Sequence, residues 1–265
     1  MKRPEIGRSF VVASFLVYAF LMFPMLVILM SSFDPKEYMS FPPTGFSLRW
    51  YAHVFDVELF MVGLKTSVSV ALLSTLVALI LGVPAAYLLV RFNFRGKAVL
   101  QSFFLSPLVV PGIVLGCALL RFFVIVGGIP IYPGLVLGHT ILVIPYAVRV
   151  TTASLVNLPV SVEEAALSLG ATGTQSFFKV VLPNIKTGLL GAVLLSFITS
   201  FNNVPVSLFL SGPNVTTLPI QMMIYGEYYF DPSIAALSVI VLLMTMMLVY
   251  LMERTIGLAY FTSSR

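Results

Sequence analysis

The chain has 265 residues, 59% hydrophobic and only 9% charged, with a mean hydropathy of +1.04. Soluble domains carry roughly a quarter charged residues, so a water-solvated globule is excluded and a single polytopic membrane domain over 1–265 is expected. The formal charge of +5 is spread thinly between apolar runs, which argues against a nucleic-acid partner and for charge-directed orientation in lipid.

Lys2, Arg3 and Arg8 precede the first apolar run, residues 10–30. The run is too long for a signal peptide and no small-x-small cleavage pattern ends it, so an uncleaved first span is expected. Further apolar runs cover 64–90, 99–126, 134–156, 189–210 and 233–252. A helix satisfies its own backbone groups in hydrocarbon, and the strand alternation of a barrel is absent. The fold class is therefore all-α integral membrane, with six transmembrane helices.

With the N-terminus inside, the inner side collects Lys2, Arg3, Arg8, Arg91, Arg95, Lys97, Arg149, Lys179, Lys186, Arg254 and Arg265. The outer side receives Lys36, Arg49, Lys65 and Arg121. This excess follows the positive-inside rule and predicts a multi-pass protein of the bacterial cytoplasmic (inner) membrane with both termini cytoplasmic.

The first connection, residues 31–63, mixes charges and prolines with the one tryptophan. It reads as an ordered outer loop, with Trp50 and Tyr51 at headgroup level. Pro107, Pro111, Gly112 and Gly116 interrupt the third run and Pro145 the fourth. They predict kinks, close helix packing or a cavity wall. His139 reads as a satisfied histidine near a span end, and Cys117 has no partner in the sequence.

The long inner loop 157–188 carries the most information, since long loops usually serve a function. Ser161 and Glu164 have capping-box spacing, which predicts a helix from about Val162, ended at Gly170 by a left-handed turn. A second short helix is expected from about Gln175 to Val181, stopped by Pro183. Ala165 and Ala166 leave a flat surface, and Leu167, Leu169, Phe177 and Phe178 supply apolar knobs suited to a groove on another protein.

Glu164-Ala165-Ala166, then Gly170, Val180 and Leu182-Pro183 at the observed spacing, resemble the EAA loop of ABC importer permeases. That pattern usually has isoleucine where Val180 stands and often proline where Thr187 stands. The resemblance continues through Arg95-Gly96-Lys97, Pro107 to Gly112, Ser211-Gly212-Pro213 and Thr217-Leu218-Pro219. The last two, on the outer side, look like the spermidine/putrescine importer permeases.

The resemblance implies a type I importer permease fold and partners: ABC ATPase subunits, a second permease subunit of a different sequence, an extracytoplasmic solute-binding protein and membrane lipid. It places Glu164, Ala165, Ala166, Gly170, Leu182 and Pro183 at the ATPase contact. It also implies a small polar solute, such as a polyamine or an amine or amino-acid-like compound.

No G-x-x-x-x-G-K-[ST] motif occurs, and neither His53 nor His139 has neighbours at metal-ligand or catalytic spacing. The chain is thus expected to hold no cofactor and to be no enzyme, with ATP and magnesium bound by the ATPase. Asn202 and Asn203 interrupt the fifth run and are the candidate solute pathway. Polyamine-type permeases often carry acidic residues there. The competing reading is a secondary transporter, disfavoured because no carboxylate lies centrally in a span.

Overall fold

Residues 8–256 are described by the structure, a computed structural model. Lys2, Arg3 and Arg265, used above for the topology, lie outside them. In chain order the helices are α1 (Arg8–Ser31), α2 (Arg49–Asp56), α3 (Glu58–Arg91), α4 (Lys97–Leu105), α5 (Gly112–Ile125), α6 (Ile131–Val156) and α7 (Val160–Ser168). There follow α8 (Gly173–Ser176), α9 (Leu182–Asn184), α10 (Lys186–Phe201), α11 (Pro205–Leu210), α12 (Leu218–Tyr228) and α13 (Ser233–Ile256). Among the described residues four helices are long and apolar enough to cross a membrane unaided, or up to six if each of two bent pairs counts as one span.

The chain divides into two compact units. The first holds the described residues up to Met61 together with Met222–Met246. Its α1 is apolar around its whole circumference, and no residue from Phe10 to Met30 is buried, so only lipid or another apolar surface can cover it. The loop after α1 is organised around Asp34. Its carboxylate accepts from the Ser40 hydroxyl, from Thr44 Oγ1 at 3.0 Å and from the Lys36 amide at 3.2 Å.

The Asp34 carbonyl accepts from Trp50 Nε1 at 2.8 Å, and Trp50 is only 6% exposed. This indole anchors the loop from inside, because its N–H finds a protein acceptor.

The second unit comprises Val62–Gln221 and the described residues from Met247. Within it α6 packs along α10, and α5 along α11. An apolar cluster at the Arg91 end of α3 joins Ala86, Leu89, Val148, Leu155, Val181 and Ile185. At the opposite end Val70, Phe123, Leu135, Val206 and Leu210 form another, and Ser67 accepts the Leu218 amide at 2.7 Å.

Two of the expected spans are not single helices. The third run breaks where α4 passes through a 3₁₀ turn, Ser106–Leu108, and α5 restarts at Gly112 bent by 104°. Pro111 has no amide to continue the ladder and turns Val110 away from helical angles. The fifth run stops at Phe201 and resumes at Pro205 as α11, a first-turn position where proline is well tolerated. Its first helix begins earlier than expected, at Lys186, bent by 74° from residues 173–184.

Candidate functional site: an exposed loop helix and two interrupted spans

The loop helix α7 starts at Val160, after Pro159 in the N-cap position, with no side-chain cap. The capping box expected from Ser161 and Glu164 does not form. Pro159 sets the start two residues early, which puts Ser161 inside the first turn, where its hydroxyl cannot reach an orphan amide. The reciprocal box occurs instead at the next helix, where Thr172 Oγ1 accepts the Gln175 amide at 3.2 Å and Gln175 Oε1 accepts the Thr172 amide at 3.0 Å.

The end of α7 is as expected. Gly170 has φ +89°, its amide reaches the Leu167 carbonyl at 2.9 Å, and the Ala171 amide reaches Ala166 at 3.1 Å. This pair of bonds is a Schellman closure, which requires the left-handed residue that glycine supplies. The finished helix presents Glu164, Ala165, Leu167 and Leu169 to the outside, Leu169 with 90% of its surface exposed.

Pro183 does not stop the following helix. Residues 177–181 widen into a π turn, and α9 carries the helix past Pro183 to Asn184. A proline ring clashes with the carbonyl four residues back, and a π turn is one established way to open that space. Leu182 is half-buried and Pro183 exposed, while Val181 and Ile185 are buried against α3 and α6. The loop is therefore seated on the spans by one face and free on the other.

Sequence reasoning missed what seats α7. Glu163, beside the exposed Glu164, is 7% exposed. Its Oε1 accepts from Arg91 Nε at 2.5 Å and its Oε2 from Tyr87 Oη at 2.8 Å, while Arg91 Nη2 donates to the Leu158 carbonyl at 2.9 Å. The α3 residues lie 72 and 76 positions away in the chain. The one available signal was a carboxylate adjoining Glu164 that no local cation could pair.

The second region is where the two interruptions meet. A Cβ added to Gly112 would stand 3.0 Å from Pro205 Cβ, and one on Gly116 would stand 3.2 Å from Val206 Cα. The glycines thus admit α11 against α5, the close approach that small residues permit in membranes. Behind the break, buried His139 on α6 shares hydrogen bonds with Ser200 Oγ at 2.8 Å and Ser207 Oγ at 3.0 Å. It clamps the end of α10 and the start of α11 to one imidazole.

The two asparagines of the candidate pathway have different settings. Asn203 Oδ1 accepts the Val206 amide at 2.9 Å and so caps α11, whereas Asn202 is exposed. A groove of about 540 Å³ runs along α4 and its turn, lined by Gln101, Ser102 and Ser106 among Ala98, Leu105, Val109 and Val110. These polar residues were not singled out from the sequence. Among the described residues no cluster of three metal-ligating side chains occurs.

Residues 78–256 match the family described as "Binding-protein-dependent transport system inner membrane component". The chain is similar to the putrescine transport system permease protein PotI of Escherichia coli K12, 33% identical over 83% of this chain and 80% of that protein. It is also similar to the spermidine/putrescine transport system permease protein PotC of Haemophilus influenzae, 30% identical over 87% and 89%. The trehalose transport system permease protein SugB of Mycobacterium tuberculosis is 29% identical over 89% of each chain.

Among solved structures, one chain of a bacterial ABC transporter involved in alginate import superposes with a TM-score of 0.68 at 18% identity, covering 96% of this chain and 99% of that one. A chain of the MetNI methionine ABC transporter gives 0.64 at 21% identity, over 76% and 95%.

Proposed function

The chain belongs to the family of binding-protein-dependent transport system inner membrane components, and from that we propose that it is a non-catalytic polyamine permease whose α7–α9 loop docks into a separate ATPase. The carrying observation is the loop's two-sidedness. One face is locked to α3 and α6, and the other presents Glu164, Ala165, Leu167 and Leu169 on a helix closed at Gly170. An apolar-faced helix of this form suits a protein groove.

In this reading ATP and magnesium stay on the ATPase, a second permease of different sequence completes the pore, and an extracytoplasmic binding protein delivers the solute. The loop and both termini face the cytoplasm, supported by the excess of cations on that side. Asn202, the α4 groove and the junction of α5 with α11 form this chain's share of the solute path, because breaks in spanning helices are tolerated where they border a cavity. A polyamine is supported by the relatives named for putrescine and spermidine/putrescine transport.

The test is uptake of radiolabelled putrescine into a polyamine-auxotrophic strain expressing this chain with an ABC ATPase, a second permease and a solute-binding protein from the same organism, paired with co-purification of the ATPase. ATP-dependent putrescine uptake is expected, with ATPase recovery lost on Gly170→Asp. Uptake driven by an ion gradient without any ATPase would overturn the reading.

A further inference from the structure

We infer that Arg91 and Glu163, backed by Tyr87, are positioning residues through which displacement of the loop helix α7 is passed to the spanning helix α3; this rests on the docking reading above. Each partner side chain of the ion pair is 9% exposed. Both carboxylate oxygens of Glu163 are used, one by each α3 side chain, and Arg91 also holds the Leu158 carbonyl just before α7 begins. Tyr87 in turn packs edge-on against Phe177 of the following helical segment, with ring centroids 4.8 Å apart.

The end of α3 thus grips the docking loop at three places: its entry, its first helix and its second. Of the loop's two covalent exits, the one into α6 crosses the Leu158–Pro159 link, which contributes one carbonyl to Arg91 and no side-chain bond of its own, and the one into α10 turns by 74° at Ile185. A carboxylate and a guanidinium bonded in this way resist sliding, because any shift breaks charge-assisted bonds that buried groups cannot replace with water. Apolar contacts around the same cluster have no such directional restraint.

Removing one partner would leave a buried charge unpaired and could unfold the loop, so the informative variant removes both: Arg91→Met with Glu163→Leu, a replacement that buried ion pairs often tolerate. Spin labels at Ser168 on α7 and Leu81 on α3, in a Cys117→Ser background, report the separation of the two helices in the purified transporter complex. We expect one narrow distance in the native pairing, unchanged between the nucleotide-free and ATP-vanadate states. The double variant is expected to give a broadened or shifted distance, and Tyr87→Phe a smaller broadening.

In proteoliposomes the double variant should still hydrolyse ATP while uptake per ATP falls roughly tenfold, within the ordinary range of coupling between sites. A distance in the double variant as narrow and constant as the native one would overturn the inference. So would a native distance that itself changes on ATP-vanadate trapping. Failure of the ATPase to co-purify with the native chain would instead refute the docking reading, so the two failures are distinguishable.

Discussion

Gly116 of α5 lies so close to Pro205 of α11 that a Cβ on it would stand 3.0 Å from the Pro205 carbonyl oxygen. The Pro205 carbonyl and the Val206 Cα beside it are backbone atoms and cannot rotate aside as a side chain would. Gly116→Leu should therefore force α5 and α11 apart, costing about 1–3 kcal/mol as overpacking usually does. The expected outcome is a lower thermal unfolding temperature in detergent with reduced uptake. Unfolding at the native temperature would show that the junction opens without strain.

His139 bridges Ser200 and Ser207 across the break between α10 and α11. His139→Phe keeps much of the volume but strands two buried hydroxyls, each worth about 1–3 kcal/mol when unsatisfied. Adding Ser200→Ala and Ser207→Ala should recover most of the loss. A triple variant no more stable than His139→Phe alone would show that the imidazole stabilises by packing rather than by these bonds.

At Gly170 an added Cβ would meet nothing within 4 Å, so the cost of substitution there comes from φ +89° alone. Gly170→Ala should cost roughly 1–2 kcal/mol of local stability and Gly170→Asn less, since asparagine tolerates the left-handed region. Putrescine uptake should rank glycine, asparagine, alanine. Equal uptake by all three would mean that the Schellman closure is dispensable for coupling.

The asparagine pair should separate on mutation. Asn203→Ala removes the cap of α11 and is expected to lower stability by about 1 kcal/mol, whereas Asn202→Ala should leave stability intact and impair uptake. Asn202→Asp is expected to favour cationic solutes. Thermal unfolding and competition uptake with putrescine against a neutral diamide measure the two effects. Full uptake by Asn202→Ala would move the solute site away from this break.

The Ser40 hydroxyl beside Asp34 holds its carboxyl below the ordinary carboxylate range; enclosure opposes this, and bonds from the Lys36 amide and Thr44 add to it. A depressed folded pKa stabilises the loop above the unfolded value of about 3.9, and that contribution is lost as pH falls through the folded value. Trp50, the only tryptophan, donates to the Asp34 carbonyl and reports the change. Its emission should stay constant from neutral pH to about 4 and shift to the red only below that. In Asp34→Asn, emission should be displaced at neutral pH and lose the acid transition.

The sequence by itself determined the features that are local in the chain. Runs of apolar residues long enough to cross a bilayer must close their own hydrogen bonds, and Gly170 at a helix end marks the turn that only a left-handed residue makes without strain. Pro111 likewise marks an interruption of its run through its own missing amide. Even so, the helix starting at Val160 rather than at a Ser161 box shows that capping spacing is subordinate to a preceding proline.

What tertiary structure decided is the pairing of groups far apart in sequence. Glu163 and Glu164 are adjacent and chemically identical, and only the arrival of α3 makes one the buried partner of Arg91 and leaves the other exposed. In the same way Asn203 became a cap and Asn202 did not, because α11 restarts at Pro205 and puts the Val206 amide three residues after Asn203, within reach of its side chain. His139 met its two serines, and Trp50 its carbonyl, only through folding. Periodicity in a nearly uniform apolar sequence gives no register between helices; small residues such as Gly112 and Gly116, which permit close approach where they stand, help to set that register in three dimensions.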